Sequence, residues 1–429
     1  MSRPLRSLLG HAGIAAIAML GILQPALGNH FILPCSNDEC TPHWVAAADM
    51  QEARAGHAAT LLANGTVLVE GGEDASGETL ASAEIYDPVD NTWHGAASLY
   101  VARHGHTATL LADGRVLVTG GQFGQAPIVL PNGAVVIPGG GVSSSAEIYD
   151  PTRDTWTLAA SMSVPRVGHS ATLLPNGKVL VAGGVVPVSS ATRFEELSGR
   201  ALVAELYDPS TDTWTPAAAT QVPRNFSAAA ALADGRVLVA GGFADSSVSY
   251  PIDAEVYDAA SDAWRTTGTI YNEDIPLMFA TATRLPDGRV IVAGGGDEID
   301  WVLDGVYAYD PSSNLWSPAG RLATVREFHT ATLLPSGQIL FVGGYDYVEA
   351  TSKVETYDPV TMVSTAAEDL LTPRAGHTAT LLTSGAVLVT GGGNHTGVLR
   401  SAEIRTAPAS LRDCGPKGGA RMLRSTLCR

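Results

Sequence analysis

Seven times along a chain of 429 residues, a glycine pair ends an apolar run at a fixed distance from the same opening motif. The pairs stand at 71–72, 120–121, 183–184, 241–242, 294–295, 343–344 and 391–392. Fourteen residues before each first glycine come His57, His106, His169, Ser227, Ala280, His329 and His377. Three residues earlier still come Arg54, Arg103, Arg166, Arg224, Leu277, Arg326 and Arg374. Between motif and glycine pair lie an apolar stretch, a turn such as Asp113-Gly114 or Asn176-Gly177, and a run such as "VLVAGG". Two such runs around a glycine free to adopt positive φ form a β-hairpin. A period of roughly 50 residues means stacked supersecondary units rather than two or three separate domains.

A third strand follows each glycine pair, as in "AEIYDP" at 83–88 and 146–151 and "AELYDP" at 204–209. Seven residues after its Tyr comes a Trp in five units: Trp93, Trp156, Trp214, Trp264 and Trp316. Asp-Pro starts a turn, so the Trp opens a fourth antiparallel strand. The last unit stops after its third strand, "AEIR" at 402–405, while an unattached Trp strand around Trp44 begins the chain. Setting Trp44 in the last unit closes a seven-bladed, all-β propeller with no open edge between first and last blades.

Gly-Gly after the second strand, Tyr-Asp in the third, Trp in the fourth, and Arg and His before the first together resemble the Kelch repeat, over residues 44–405. Departures are Ser227 and Ala280 for His, Ser364 for Trp, Arg405 for Tyr, and the whole entry of unit five. The resemblance implies a protein-binding platform, a sugar-handling protein, or the fold of copper oxidases similar to galactose oxidase. The cofactor of those oxidases needs a Cys bonded to a Tyr near copper, and no Cys lies between Cys40 and Cys414. No cofactor is therefore expected.

With 45% hydrophobic and 16% charged residues, the chain can bury a large core. Its formal charge of −17 argues against nucleic acid as a partner. Residues 1–28 read as a secretory signal: Arg3 and Arg6, an apolar stretch at 14–23, and Ala26-Leu27-Gly28 at the cleavage site. No later run approaches the ~18 apolar residues of a membrane span. The expectation is an exported, monomeric protein without a span in its mature chain. Cys35 and Cys40 fall in an N-terminal segment, 29–43, and Cys414 and Cys428 in a tail, 406–429. An even number at the termini of an exported chain suggests two disulfides, paired either locally or between the two ends.

In an antiparallel blade the 1–2 and 3–4 loops share one rim, and here they are short and uniform. The 2–3 and 4–1 loops share the other, which carries insertions at 122–145 and 185–203. Binding residues concentrate on variable loops of a rigid scaffold, so this variable rim is the expected functional face. Insertion 122–145 contains "VLPNGAVVIPGGG", an imitation of "LLPNGKVLVAGGV", and reads as an extra hairpin.

Six units with the Arg also carry a Glu in the third strand: Glu84, Glu147, Glu205, Glu255, Glu355 and Glu403. Unit five lacks both and has Leu277 and Tyr307. Joint loss indicates an internal ion pair, reached across the side-chain-free Gly-Gly, rather than an anion pocket. The repeated histidines read as satisfied core residues. No GxSxG, HExxH or GxxxxGK[ST] motif is present, and no catalytic or metal residue is assigned.

Two loops of unit five are acidic and aromatic together. "GDEIDWVLD" at 296–304 has Asp297, Glu298, Asp300, Trp301 and Asp304, and "TIYNEDIPLMF" at 269–279 has Tyr271, Glu273, Asp274 and Phe279. An aromatic beside carboxylates suits sugar stacking or a protein contact. The candidate binding residues are Tyr271, Glu273, Asp274, Phe279, Asp297, Asp300 and Trp301. The expected function is a protein- or glycan-binding module. The alternative is a carbohydrate-active enzyme of hydrolase or epimerase type using rim carboxylates.

Overall fold

The computed structural model describes residues 41–124, 128–129, 135–136, 141–185, 202–242, 253–270, 277–296 and 302–407. These residues form seven four-stranded antiparallel sheets. Blade 1 consists of Ala58–Leu61, Val67–Glu70, Ala83–Asp87 and Thr92–Ala96, in that order from the axis outward. Blade 7 takes three strands from the end of the ring, Thr378–Leu381, Val387–Thr390 and Ala402–Arg405. Its outer strand is Trp44–Ala46, with Trp44 opposite Arg405 and Ala46 opposite Glu403. The ring is thus closed by the N-terminal strand, as the unattached Trp implied.

Second strands such as Val67–Glu70 are buried at every residue, because each is covered on both faces by neighbouring blades. The core is accordingly divided into interblade layers. Leu388 and Ala402 of blade 7 pack with Val67, Val69 and Tyr86 of blade 1, and Leu117 and Ile148 of blade 2 with Val179, Val181 and Tyr207 of blade 3.

Outer strands are attached by a repeated stitch. Tyr86 pairs across the sheet with Trp93, their rings 5.0 Å apart. The Tyr86 hydroxyl donates to Oδ1 of Asn91, which sits in the turn at φ 53°. Asn91 Oδ1 also accepts from Ala48 N, and Trp93 Nε1 donates to Ala48 O, so both tie blade 1 to the segment that follows the outer strand of blade 7. Asp154, Asp212 and Asp262 repeat the arrangement with Trp156, Trp214 and Trp264. An Asx residue tolerates left-handed φ and supplies an acceptor there, which explains its recurrence. Blade 6 has Met362 and Ser364 at these places, and Tyr357 instead donates to Ala319 O of blade 5.

The insertion of blade 2 is a hairpin in its described parts. Gln122–Phe123 pairs with Gly141–Val142, and Ile128–Val129 with Val135–Val136. The four cysteines lie outside the described residues, as do most of the insertion at 185–203 and the two terminal segments.

Candidate functional site at the variable rim

Each blade except the fifth is pinned at the variable rim by a buried clamp. Arg54 Nη2 meets Glu84 Oε1 at 2.9 Å, Arg103 meets Glu147 at 2.6 Å, and Arg166 meets Glu205 at 2.8 Å. Arg224–Glu255, Arg326–Glu355 and Arg374–Glu403 follow at 3.0, 2.6 and 2.8 Å. All six arginines are buried. The carboxylates also accept backbone N–H groups of the loop from the preceding blade, as Glu147 does from Tyr100 at 2.7 Å and Val101 at 3.0 Å. One Glu therefore fixes both its own blade and the incoming loop. The arginines are structural, as the joint loss in unit five indicated.

The glycine pair has a different reason from the one expected. Arg54 Nη1 donates to Gly71 O at 2.7 Å, so the pair supplies an acceptor to the clamp rather than merely making way for it. A Cβ on Gly71 would stand 2.5 Å from the Arg103 carbonyl and 2.6 Å from the His106 ring. It is the next blade's entry segment that demands a glycine here.

Blade 5 keeps the backbone part of this arrangement and drops the charges. Leu277 O accepts from Gly242 N at 3.1 Å, as Arg103 O does from Gly72 N at 2.8 Å. The side chain of Leu277 is buried in the layer between blades 4 and 5, with Tyr307 packed against the same cluster. An apolar pair has replaced an ion pair.

The histidines join neighbouring blades. His57 Nε2 meets Thr390 Oγ1 of blade 7 at 3.0 Å, His169 meets Thr107 of blade 2 at 2.9 Å, and His377 meets Thr330 of blade 6 at 3.0 Å. Burial, with the neighbouring arginines second, pushes His169 and His377 down to about 3 and His57, His106 and His329 well below the ordinary range. They are core residues, as read from the repeat, and neutral; His57, His169, His329 and His377 are satisfied at Nε2 by a threonine, whereas, among the described residues, His106 is not.

The functional asymmetry lies between the Arg and His positions, where the sequence reading assigned no role except to Phe279. One residue per blade there adopts positive φ and surrounds the axis: Gly56, Gly105, Gly168, Phe226, Phe279, Phe328 and Gly376. Successive members hydrogen-bond around the ring, for example Gly105 N to Gly56 O at 3.0 Å, Phe226 N to Gly168 O at 2.9 Å and Phe279 N to Phe226 O at 3.1 Å. Four blades use glycine, and blades 4, 5 and 6 use phenylalanine at φ 55°, 57° and 52°. The Phe279 ring stands 5.0 Å from Phe226 and is stacked on Phe328 at 4.0 Å. Val167 and Met278 complete the cluster, and Val142, from the stem of the blade 2 insertion, packs against it. Phe226 and Phe279 are buried while Phe328 is partly exposed.

Of the candidate residues, the structure places Phe279 at the centre of this cluster. Tyr271, Glu273, Asp274, Asp297, Asp300 and Trp301 lie outside the described residues. Asp304, from the same acidic loop, forms an ion pair with Arg321 at 2.8 Å. Phe226 and Phe328 were missed, although "RNFS", "LMFA" and "REFH" in place of "RxGH" were visible signals.

The fold is a seven-bladed propeller, an architecture that supports a binding or scaffold module in general. The Kelch motif matches residues 54–99 and 102–163. The chain is a seven-bladed β-propeller that contains Kelch motifs. Among solved structures, a fungal alcohol oxidase of the AA5 family in complex with copper is similar at a TM-score of 0.66 and 19% identity, over 88% of this chain and 79% of that one. YjhT is similar at a TM-score of 0.56 and 17% identity, over 75% of this chain and 99% of that one. Identities this low bear on the fold alone. No curated protein matches the chain in sequence. Among the described residues, no group of three or more His, Cys, Asp or Glu side chains is arranged to hold a metal ion.

Proposed function

We propose that this chain is an exported binding module that takes a protein or glycan ligand at its variable rim, over the mouth formed by Phe226, Phe279 and Phe328. The candidate residues read from the blade 5 sequence, Tyr271, Glu273, Asp274, Asp297, Asp300 and Trp301, belong to this reading as further ligand contacts. One observation carries this reading. A bulky residue at positive φ costs roughly 1–3 kcal/mol, and such strain accumulates at functional sites. Three adjacent blades bear that cost at the one position where the other four blades have glycine. The result is an aromatic cluster at the axis, buried at Phe226 and Phe279 and partly open at Phe328, so that Phe328 offers the contact to a sugar face or protein side chain and the other two hold it in place.

Phe279→Gly restores the residue of the other blades, so the variant should fold. On a glycan array and in pull-downs with immobilised protein, ligands of the parent are expected to bind Phe279→Gly at least about tenfold more weakly, because the ring on which the partly exposed Phe328 is stacked is lost. Trp301→Ala should weaken the same ligands. Unchanged binding in both variants would remove this mouth from the account.

A further inference from the structure

The seam between blades 1 and 2 is built unlike the others. At the seam of blades 7 and 1, His57 Nε2 lies 3.0 Å from Thr390 Oγ1 and 3.2 Å from Thr378 Oγ1. At that of blades 2 and 3, His169 Nε2 lies 2.9 Å from Thr107 and 3.0 Å from Thr119. The equivalent places beside His106 are occupied by Ala58 and Glu70. Glu70 and His106 are both fully buried, with 3.9 Å between Glu70 Oε1 and His106 Nε2. Among the described residues, neither carboxyl oxygen of Glu70 and neither ring nitrogen of His106 has a hydrogen-bond partner.

The surrounding charges are already committed. Arg54 pairs with Glu84 and donates to Gly71 O, and Arg103 pairs with Glu147 and donates to Gly120 O. His106 is also approached by His104, His57 and His169, and His104 Nδ1 lies 3.3 Å from Glu73 Oε2. An ionised carboxylate at Glu70 would be buried without a donor, a state that costs several kcal/mol. A neutral carboxylic acid has the O–H that an unprotonated imidazole nitrogen can accept. At 3.9 Å the carboxyl faces the imidazole without a formed hydrogen bond, and an approach closer by about 1 Å brings an O–H within reach of the ring nitrogen.

We propose that Glu70 is a buried proton-binding site: a carboxylic acid that keeps its proton at neutral pH and shares it with His106, latching blade 1 to blade 2. The electrostatics agree with the geometry. Burial raises Glu70 well above the usual carboxylate range against the opposing pull of Arg54 and Arg103, and burial holds His106 neutral. The sign of the effect is opposite to that of the histidines. An acid raised in the folded state adds stability below about pH 4.5, and this is lost as pH rises toward the folded value.

The test is infrared spectroscopy of the full chain with carbon-13 glutamate. At pH 7 the parent should show a label-sensitive C=O stretch of a protonated carboxyl group that is absent in Glu70→Gln. Between about pH 4.5 and the pH at which that band disappears, the folding constant of the parent should fall tenfold per pH unit relative to Glu70→Gln. Ala58→Thr with Glu70→Thr rebuilds the threonine node of the two other seams. It should fold, lack the band, and show the same relative slope. A parent without the band, a band that survives in either variant, or parallel pH curves would overturn the proposal.

Discussion

Glu147→Ala is expected to lower the unfolding free energy by about 3–5 kcal/mol, the usual result of leaving one member of a buried ion pair behind. Glu147 is fully buried and accepts from Arg103 at 2.6 Å and from the backbone N–H groups of Tyr100 and Val101. Its removal strands a guanidinium whose remaining contacts are the carbonyls of Gly120, Val101 and Ser145 and the hydroxyl of Ser145. It also frees the loop that enters blade 2. Arg103→Leu should cost a comparable amount for the complementary reason. The double variant Arg103→Leu with Glu147→Tyr copies what blade 5 does with Leu277 and Tyr307, and should lose clearly less than the sum of the single effects. Urea unfolding, with the midpoint falling at constant slope, measures all three. Losses below about 1 kcal/mol in both single variants would show that the clamp does not hold the blade.

Acid is expected to unfold the protein well before its carboxylates are all protonated. His57, His106, His169, His329 and His377 are buried and neutral, with His169 and His377 held at about 3. Their ordinary value in an unfolded chain is about 6.5. A group depressed in the folded state contributes stability above its unfolded pKa and loses it as pH falls toward the folded one. Each histidine therefore costs up to about 1.4 kcal/mol per pH unit below roughly pH 6.5, and the five act together. Urea midpoints should fall steeply from pH 6.5 downward. His377→Gln, which keeps a donor toward Thr330, should show a slope smaller by about one proton. A stability curve that is flat between pH 6.5 and 4 would contradict the neutral, load-sharing role of these residues.

Most of the architecture was legible because it is written seven times. The closing strand followed from a Trp without a unit and a last unit without its Trp. The Arg–Glu pairs followed from their joint loss at Leu277 and Tyr307. What escaped was whatever occurs at a single position with a conserved backbone and a changed side chain. Phe226 and Phe328 share with Gly168 a left-handed φ that residue type alone does not announce. Asn91 and Asp154 stand in turns whose sequence carries no mark of the neighbouring blade, yet their carboxamide and carboxylate oxygens hold two blades together. Glu70 stood in an apolar strand where only its three-dimensional neighbour, His106, gives it meaning.

The central claim is that a ligand sits on the variable rim over the phenylalanine mouth. Hydrogen exchange of the chain with and without a ligand recovered from the screens tests it most directly. Protection is expected at 226–227, 277–280 and 326–328, in the entries of blades 4 to 6, and in the blade 5 loop at 296–304. Protection confined to the opposite rim, at the hairpin turns around Gly65, Gly114 and Gly177, would contradict it.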